Sequence, residues 1–256
     1  MNPSISGSKR QQKVGGLAAL YLAAAFVVAM PFFLVFVKYP NVVDPVEKVA
    51  LLVRNQGSMQ VMYLITYVIF GIVLAVLALA LYARLKDGAP TLAQAATAVG
   101  LIWAVVLVAS GLIFNAGVAA VVELHATNPA QAVSVWQAIE PVAQGLGGSG
   151  GELLGGLWVL LVSVVALRTG GLSRVLSWLG VAIGVAGVLS VVPALNDVAY
   201  GFGLLVIVWF AWLGVAMLRA PSRAAEPAGI TVAASASAAA SSTPRPSSPQ
   251  PSRIPA

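Results

Sequence analysis

The sequence predicts an all-α, polytopic membrane helical bundle of six transmembrane helices, with both termini in the cytoplasm and a disordered carboxyl-terminal tail. Of its 256 residues, 59% are hydrophobic and 9% are charged, whereas a typical soluble domain is about 25% charged. Several uncharged stretches reach the roughly 20 residues that a helix needs to cross a bilayer. Basic residues collect beside alternate stretches, as orientation signals do.

Composition divides the chain into three parts. Residues 1–15 form a basic cytoplasmic amino terminus, residues 16–218 the transmembrane domain, and residues 219–256 an Ala-, Ser- and Pro-rich cytoplasmic tail. The tail offers too little apolar surface to offset the entropy of ordering. The first apolar stretch is longer than the core of a cleaved secretory signal, which has about 7–15 residues. We predict spans at residues 16–37, 61–82, 92–114, 150–167, 175–195 and 198–218.

Prolines and capping residues predict local features of the helices. Pro31 predicts a kink in the first span, because proline removes a backbone donor. The segment Asp44–Glu47 is typical of a helix start, with a capping carboxylate, a proline at the first helical position and an acid three residues after the cap. The apolar stripe that follows it predicts a short amphipathic helix on the membrane surface. Asn128–Pro129 predicts another helix start, and Pro141 a kink or a break in that helix.

The basic residues sort to one side of the predicted topology. Only Lys38, Lys48 and Arg54, three of the 14 Lys and Arg residues, fall on the other side. Basic loops stay in the cytoplasm, so both termini are predicted inside. The lipid bilayer is therefore the first expected partner, and a membrane protein partner or a second copy of the chain stays open. No basic stripe lies on a soluble module, so we expect no nucleic-acid partner.

Glu152 is the sharpest candidate for a functional side chain. It lies in a glycine-rich stretch at the predicted outer end of the fourth span. Acids within a membrane are costly and are often functional. A solvated acid at the amino terminus of a helix also explains the residue, because the helix dipole favours a negative charge there.

Four more residues complete a candidate polar or ligand site: Asn115, Glu123, His125 and Glu140. Asn115 lies near the outer part of the third span, where an amide either bonds to a neighbouring helix or contacts a ligand. The other three are predicted on the same side as Glu152, and carboxylates with a histidine can bind a divalent metal. The spacing of Glu123 and His125 matches no strong metal motif. Cysteine is absent and His125 is the single histidine, so we assign no catalytic residue, no metal ligand and no cofactor.

Glycine-rich segments carry a resemblance to a known family. The segment Gly15–Leu22 resembles the opening helix of that family. Segments that resemble its later helices are residues 151–158, 167–174 and 178–180. Over residues 13–218 the chain resembles the bacterial six-helix membrane family called domain of unknown function 4386. The resemblance implies a six-helix bundle in a bacterial inner or plasma membrane and implies no activity. It predicts proline at position 173 and glycine at position 177, where this chain has Ser173 and Ser177.

Glycines also recur at four-residue spacing, at positions 147/151, 151/155 and 180/184. Small residues let helix backbones approach closely, so these positions predict tight packing within the bundle.

Three functions stay open. The first is a non-enzymatic membrane protein that binds a partner protein or a lipid. The second is a small transporter or ion-coupled carrier that uses Glu152 and Asn115. The third is a membrane enzyme with an outward-facing acidic site. Sparse buried charge and the lack of an inverted repeat with matching broken helices disfavour transport, and the few bases and nucleophiles disfavour an enzyme.

Overall fold

The computed structural model describes residues 3–147, 151–192 and 198–219, and within these ranges every regular element is a helix. The predicted tail lies outside the described residues from position 220 onward. Short π-helical turns cover Phe32–Phe36 and Leu64–Ile69, and a 3-10 turn covers Tyr39–Asn41. The α-helices are α1 (Pro3–Pro31), α2 (Pro45–Arg54), α3 (Gln56–Tyr63), α4 (Phe70–Leu85), α5 (Pro90–Thr127), α6 (Pro129–Gly147), α7 (Gly151–Thr169), α8 (Arg174–Leu189) and α9 (Val198–Arg219).

Four helical stretches are long and apolar enough to cross a membrane: Lys9–Phe36, Gln56–Leu85, Pro90–Thr127 and Gly201–Arg219. Helices α7 and α8 are also apolar but shorter. Helix α5 has 38 residues and is therefore about 57 Å long at ~1.5 Å per residue. It exceeds the roughly 30 Å hydrocarbon core of a bilayer and continues well past the predicted third span at residues 92–114.

Buried apolar residues form two cores that share α5. The main core lies among α1, α4, α5, α7, α8 and α9, around the fully buried Trp158, Trp209 and Phe210. The second core lies where α5 projects beyond these helices, around Phe114 and Trp136. We call this second unit the cap. It comprises residues 37–63, the part of α5 from Phe114 onward, and α6.

The two helix starts predicted from capping residues are confirmed. The Asp44 carboxylate accepts hydrogen bonds from the backbone nitrogens of Val46 at 2.8 Å and Glu47 at 3.0 Å. The Asn128 side-chain oxygen accepts one from the Gln131 nitrogen at 3.1 Å. In both helices a side chain thus satisfies backbone donors that the helix itself leaves unpaired.

The face of α2 that was expected to lie on lipid is covered by protein instead. Val49 and Leu52 are fully buried in the cap core, and α2 packs on α5 and α6. Only Val46 of the apolar stripe is largely exposed. The end of α5 explains the difference, because it projects beyond the main core and offers α2 an apolar surface within the protein.

The prolines leave their helices continuous. Pro31 is the last α-helical residue of α1, and the chain continues directly as a π-helical turn. Pro141 lies inside α6, which runs unbroken to Gly147, so the helix does not break there, and the kinks at the two prolines stay predictions. The buried residues Trp136 and Ala143 lie on either side of Pro141. Their packing holds the helix through the position where a backbone donor is missing.

Helices α7 and α8 touch through their backbones at glycines. A Cβ atom added to Gly184 would lie 2.7 Å from the Gly156 carbonyl oxygen. One added to Gly156 would lie 2.8 Å from the backbone of Gly187. Gly180 is equally enclosed, by Ser163 and Trp209. The packing role predicted for the glycines at positions 180 and 184 is therefore confirmed.

We expect Gly184→Ala to lower the free energy of unfolding by about 1–3 kcal/mol, the usual cost of overpacking, because the new methyl group forces α7 away from α8. Thermal unfolding of the purified protein in detergent measures the change. Gly145→Ala is the matched control, since a Cβ there meets nothing within 4 Å and alanine favours a helix. Equal losses of stability in the two variants would contradict the proposed contact.

Candidate functional site

Glu140 of α6 is the centre of a polar cluster inside the cap. The Tyr39 hydroxyl donates to Glu140 Oε1 at 2.8 Å. Lys48 Nζ lies 3.0 Å from Oε1 and 3.1 Å from Oε2. Trp136 Nε1 donates to the Tyr39 hydroxyl oxygen at 3.1 Å. These four residues, which we call the Glu140 cluster, join the 3-10 turn, α2 and α6.

Local structure positions each member of the cluster. Lys38 adopts the left-handed conformation, with φ of 54°, and this turn directs the next residue, Tyr39, into the cap core. Lys48 lies on α2 one turn after the Asp44 cap. Trp136 and Glu140 are four residues apart on α6, so their side chains lie on the same face of that helix.

The cluster is shielded from solvent. The side chains of Lys48 and Glu140 are 20% and 17% exposed, and Tyr39 is 5% exposed. Burial raises the pKa of Tyr39 far above its usual value, and the nearby Tyr63 and Glu140 raise it further. The hydroxyl therefore stays protonated and acts as a donor. The Lys48 ammonium also lies 5.1 Å from the centroid of the Tyr39 ring, within range of a cation–π contact.

Aromatic rings pack beside the cluster in the cap core. The rings of Tyr63 and Phe114 stack with centroids 4.4 Å apart and an interplanar angle of 3°. The Phe114 and Trp136 rings are 6.3 Å apart. Such ring pairs add to the stabilisation from apolar burial. These rings connect the cluster to α3 and α5, because Tyr63 lies in α3 and Phe114 lies in α5.

Both carboxylate oxygens of Glu140 are engaged by donors from the same chain. Lys48 supplies the opposite charge and Tyr39 a neutral hydrogen bond. Three short contacts thus fix the position of this carboxylate within the cap. The arrangement is suited to holding α2, the 3-10 turn and α6 together.

Among the described side chains, Asn115, Glu123 and His125 form no hydrogen bond or ion pair with this cluster. Glu123 is exposed near the end of α5. His125 is half-buried, and its Nδ1 is buried without a hydrogen-bond partner among the described residues. Asn115 is eight residues before Glu123, or about 12 Å along the helix. Glu152 lies in the first turn of α7, and its side chain is outside the described part of the protein. In the described ranges no group of three His, Asp or Glu side chains can hold a metal ion.

Asn115 itself has an unusual environment. Both polar atoms of its amide are buried, and neither has a hydrogen-bond partner among the described residues. Helical spacing puts Asn115 on the face of α5 that carries Gly111 and Val118, and Gly111 packs against Tyr67 of the π-helical turn. A buried amide without a partner is costly, so this position can accept water or a polar ligand.

Sequence reasoning identified Glu140 but missed Tyr39, Lys48 and Trp136. Lys48 is 92 residues from Glu140 in sequence, and no local pattern links two such distant positions. The four-residue spacing of Trp136 and Glu140 was the one available signal, because it places an aromatic donor and an acid on one helical face.

We expect Glu140→Gln to lower the free energy of unfolding by about 1–3 kcal/mol, between the values for exposed and fully buried ion pairs. A double-mutant cycle with Lys48→Met measures the coupling, and chemical unfolding in detergent gives the four free energies. The exposed Glu123→Gln is the control and should change stability by less than about 0.5 kcal/mol. Strictly additive losses of stability in the Lys48 and Glu140 variants would rule out a stabilising interaction between these two side chains.

Comparison with known proteins identifies the family of the chain. The family model described as domain of unknown function (DUF4386) matches residues 17–219. No curated protein and no solved structure gives a significant match. The matched range begins in α1 and ends with the last residue of α9, and so covers most of the chain. The chain therefore belongs to the DUF4386 family.

Proposed function

We propose that this chain is a six-span protein of the bacterial plasma membrane, with both termini in the cytoplasm, that binds a lipid or a partner protein and catalyses no reaction. The observation that carries the proposal is a difference in polar groups between the cap and the opposite end of the helical bundle. The acid at the centre of the cap is neutralised within the chain, whereas the other end presents exposed basic residues.

The packing of α7 and α8 supports the count of six spans. Both helices line the main core together with the four long apolar stretches. Helix α8 has 16 residues, about 24 Å at ~1.5 Å per residue. A helix somewhat shorter than the bilayer is accommodated by local thinning or by flanking side chains that reach the interface. With α7 and α8 included, the crossings number six and return the chain to its starting side.

Contacts between helix ends support the orientation. Gln12 Nε2 donates to the Met217 carbonyl at 2.6 Å, which brings the start of α1 beside the end of α9. A Cβ on Gly88 would lie 2.8 Å from Thr169 Cγ2, which brings the turn after α4 beside the end of α7. The described basic residues near these helix ends are Lys9, Arg10, Lys13, Arg84, Lys86, Arg168, Arg174 and Arg219. The described acid there is Asp87, and we call this the basic end. An excess of this size favours the cytoplasmic side.

The placement of acids in the cap supports binding over catalysis. An outward acidic active site would need free carboxylates close together. Glu140 is paired with Lys48, and Glu123 is exposed at the end of α5. Glu123 and Glu140 therefore supply no convergent pair for general acid–base chemistry.

The buried amide of Asn115 favours a second candidate, a small transporter or ion-coupled carrier. Unpaired polar groups within a membrane mark ion or substrate pathways in many transporters. Asn115 lies within the third long apolar stretch and lacks a described partner. In this alternative Asn115 would contact the solute, and Glu152 would carry the coupling ion or proton.

Labelling of single cysteines tests the topology, because the natural chain contains no cysteine. We expect a membrane-impermeant maleimide to label Glu47→Cys and Glu123→Cys in intact cells, since both positions are exposed in the cap. Lys86→Cys and Arg174→Cys should react only after the membrane is permeabilised. Labelling of the basic end in intact cells would refute the proposed orientation.

Flux measurements in liposomes separate binding from transport. We expect proton and ion flux through vesicles containing the wild-type protein to equal that of empty vesicles, and Glu152→Gln and Asn115→Leu to change nothing. A flux above the empty-vesicle level that either substitution abolishes would establish the transporter instead. A lipid or protein that co-purifies in constant ratio would support the binding function.

A further inference from the structure

Two turns at the basic end pack directly on each other. One follows α4 and the other joins α7 to α8. Arg84 Nε donates to the Gly171 carbonyl at 3.0 Å, and a Cβ on Gly171 would collide with the Leu85 side chain. We call residues 84–89 and 168–174 the turn pair. Gly170, with φ of +64°, makes the second turn tight enough for this contact.

The turn pair concentrates positive charge. Lys86, Arg168 and Arg174 are exposed, and none of them forms a salt bridge with a described residue. Arg84 is held at the centre of the contact by its bond to Gly171. Asp87 is the acid that the two turns contain. Cations gathered on two fixed turns repel one another, and a bound anion would relieve that repulsion.

We propose that the turn pair binds the headgroup of an anionic phospholipid of the cytoplasmic leaflet. A phosphate group suits a cluster of Lys and Arg side chains at a membrane surface. Lys86, Arg168 and Arg174 are exposed on the two packed turns, so all three can contact one headgroup. The inference rests on the proposed function, since it needs this end of the bundle at the membrane–cytoplasm interface.

Native mass spectrometry of the full chain in detergent tests the site. The probes are phosphatidylglycerol and phosphatidylcholine with identical acyl chains. The test variant is the triple substitution Lys86→Gln, Arg168→Gln and Arg174→Gln, which spares the structural Arg84. The matched control removes equal charge from the same end through Lys9→Gln, Arg10→Gln and Lys13→Gln, all exposed on α1.

We expect the wild type to retain phosphatidylglycerol over phosphatidylcholine. The test variant should lose affinity for phosphatidylglycerol by roughly tenfold or more, since each basic residue near an anionic surface contributes up to about fivefold. The control should stay within about twofold of the wild type, because general attraction falls off over a Debye length. The single variants Lys86→Gln and Arg174→Gln give smaller losses in the same direction if the triple variant proves unstable.

Three results would overturn the inference. Equal losses in the test and control variants would mean diffuse attraction without a site. Equal retention of the two lipids by the wild type would mean that the turn pair selects no headgroup charge. Complete displacement of the lipid by inorganic phosphate would mean a soluble anion as the ligand. Binding in detergent has no sidedness, so these results are independent of the cysteine labelling that tests the topology.

Discussion

The close approach of helix backbones at glycines is the contact on which the bundle depends. Lipid tails are as apolar as leucine, so helices in a bilayer gain little from apolar burial and associate through close van der Waals packing. Gly156 meets Gly184 where α7 crosses α8, and Gly16 meets Gly214 where α1 crosses α9. Both crossings join helices whose ends carry the basic residues. The spacing of those charges at the basic end therefore follows from where two backbones can touch.

The cap is held by a different set of forces, because α5 carries it beyond the bundle. There α2 buries Val49 and Leu52 against α5 and α6, and aromatic rings fill the space beneath. Polar bonds fix the arrangement at two points. One is the Glu140 cluster, and the other is the bond from the buried Ser110 hydroxyl of α5 to the Ala143 carbonyl of α6, 2.8 Å long. The same protein thus uses backbone contacts among its apolar helices and side-chain hydrogen bonds in the cap.

The difference explains which features the sequence could predict. Helices and their starts follow from local patterns, as the bonds made by Asp44 and Asn128 confirm. The packing role of Gly184 follows from a general rule about small residues. The Glu140 cluster depends on Lys48, which is distant in sequence. It also depends on a left-handed turn at Lys38, which the sequence could not predict because the residue there is not a glycine. The burial of the apolar stripe of α2 depends on the length of α5, because α2 can pack against protein only where α5 projects beyond the other helices.

In the structure, the segments that carry the family resemblance pack helices against each other. Gly155 lies against the Trp103 ring and Gly180 against Ser163. Ser173 replaces an expected proline and still starts α8, because its hydroxyl accepts a hydrogen bond from the Leu176 nitrogen at 3.4 Å. These residues specify a bundle and imply no reaction, so membership in the family cannot by itself supply an activity. The segment 167–174 differs from the others, because the turn that its glycines shape also fixes two exposed arginines beside Lys86 and Arg84. In that segment one short stretch determines both the packing of the helices and the position of charge at the basic end, which is why a ligand is better sought there than among the buried glycines.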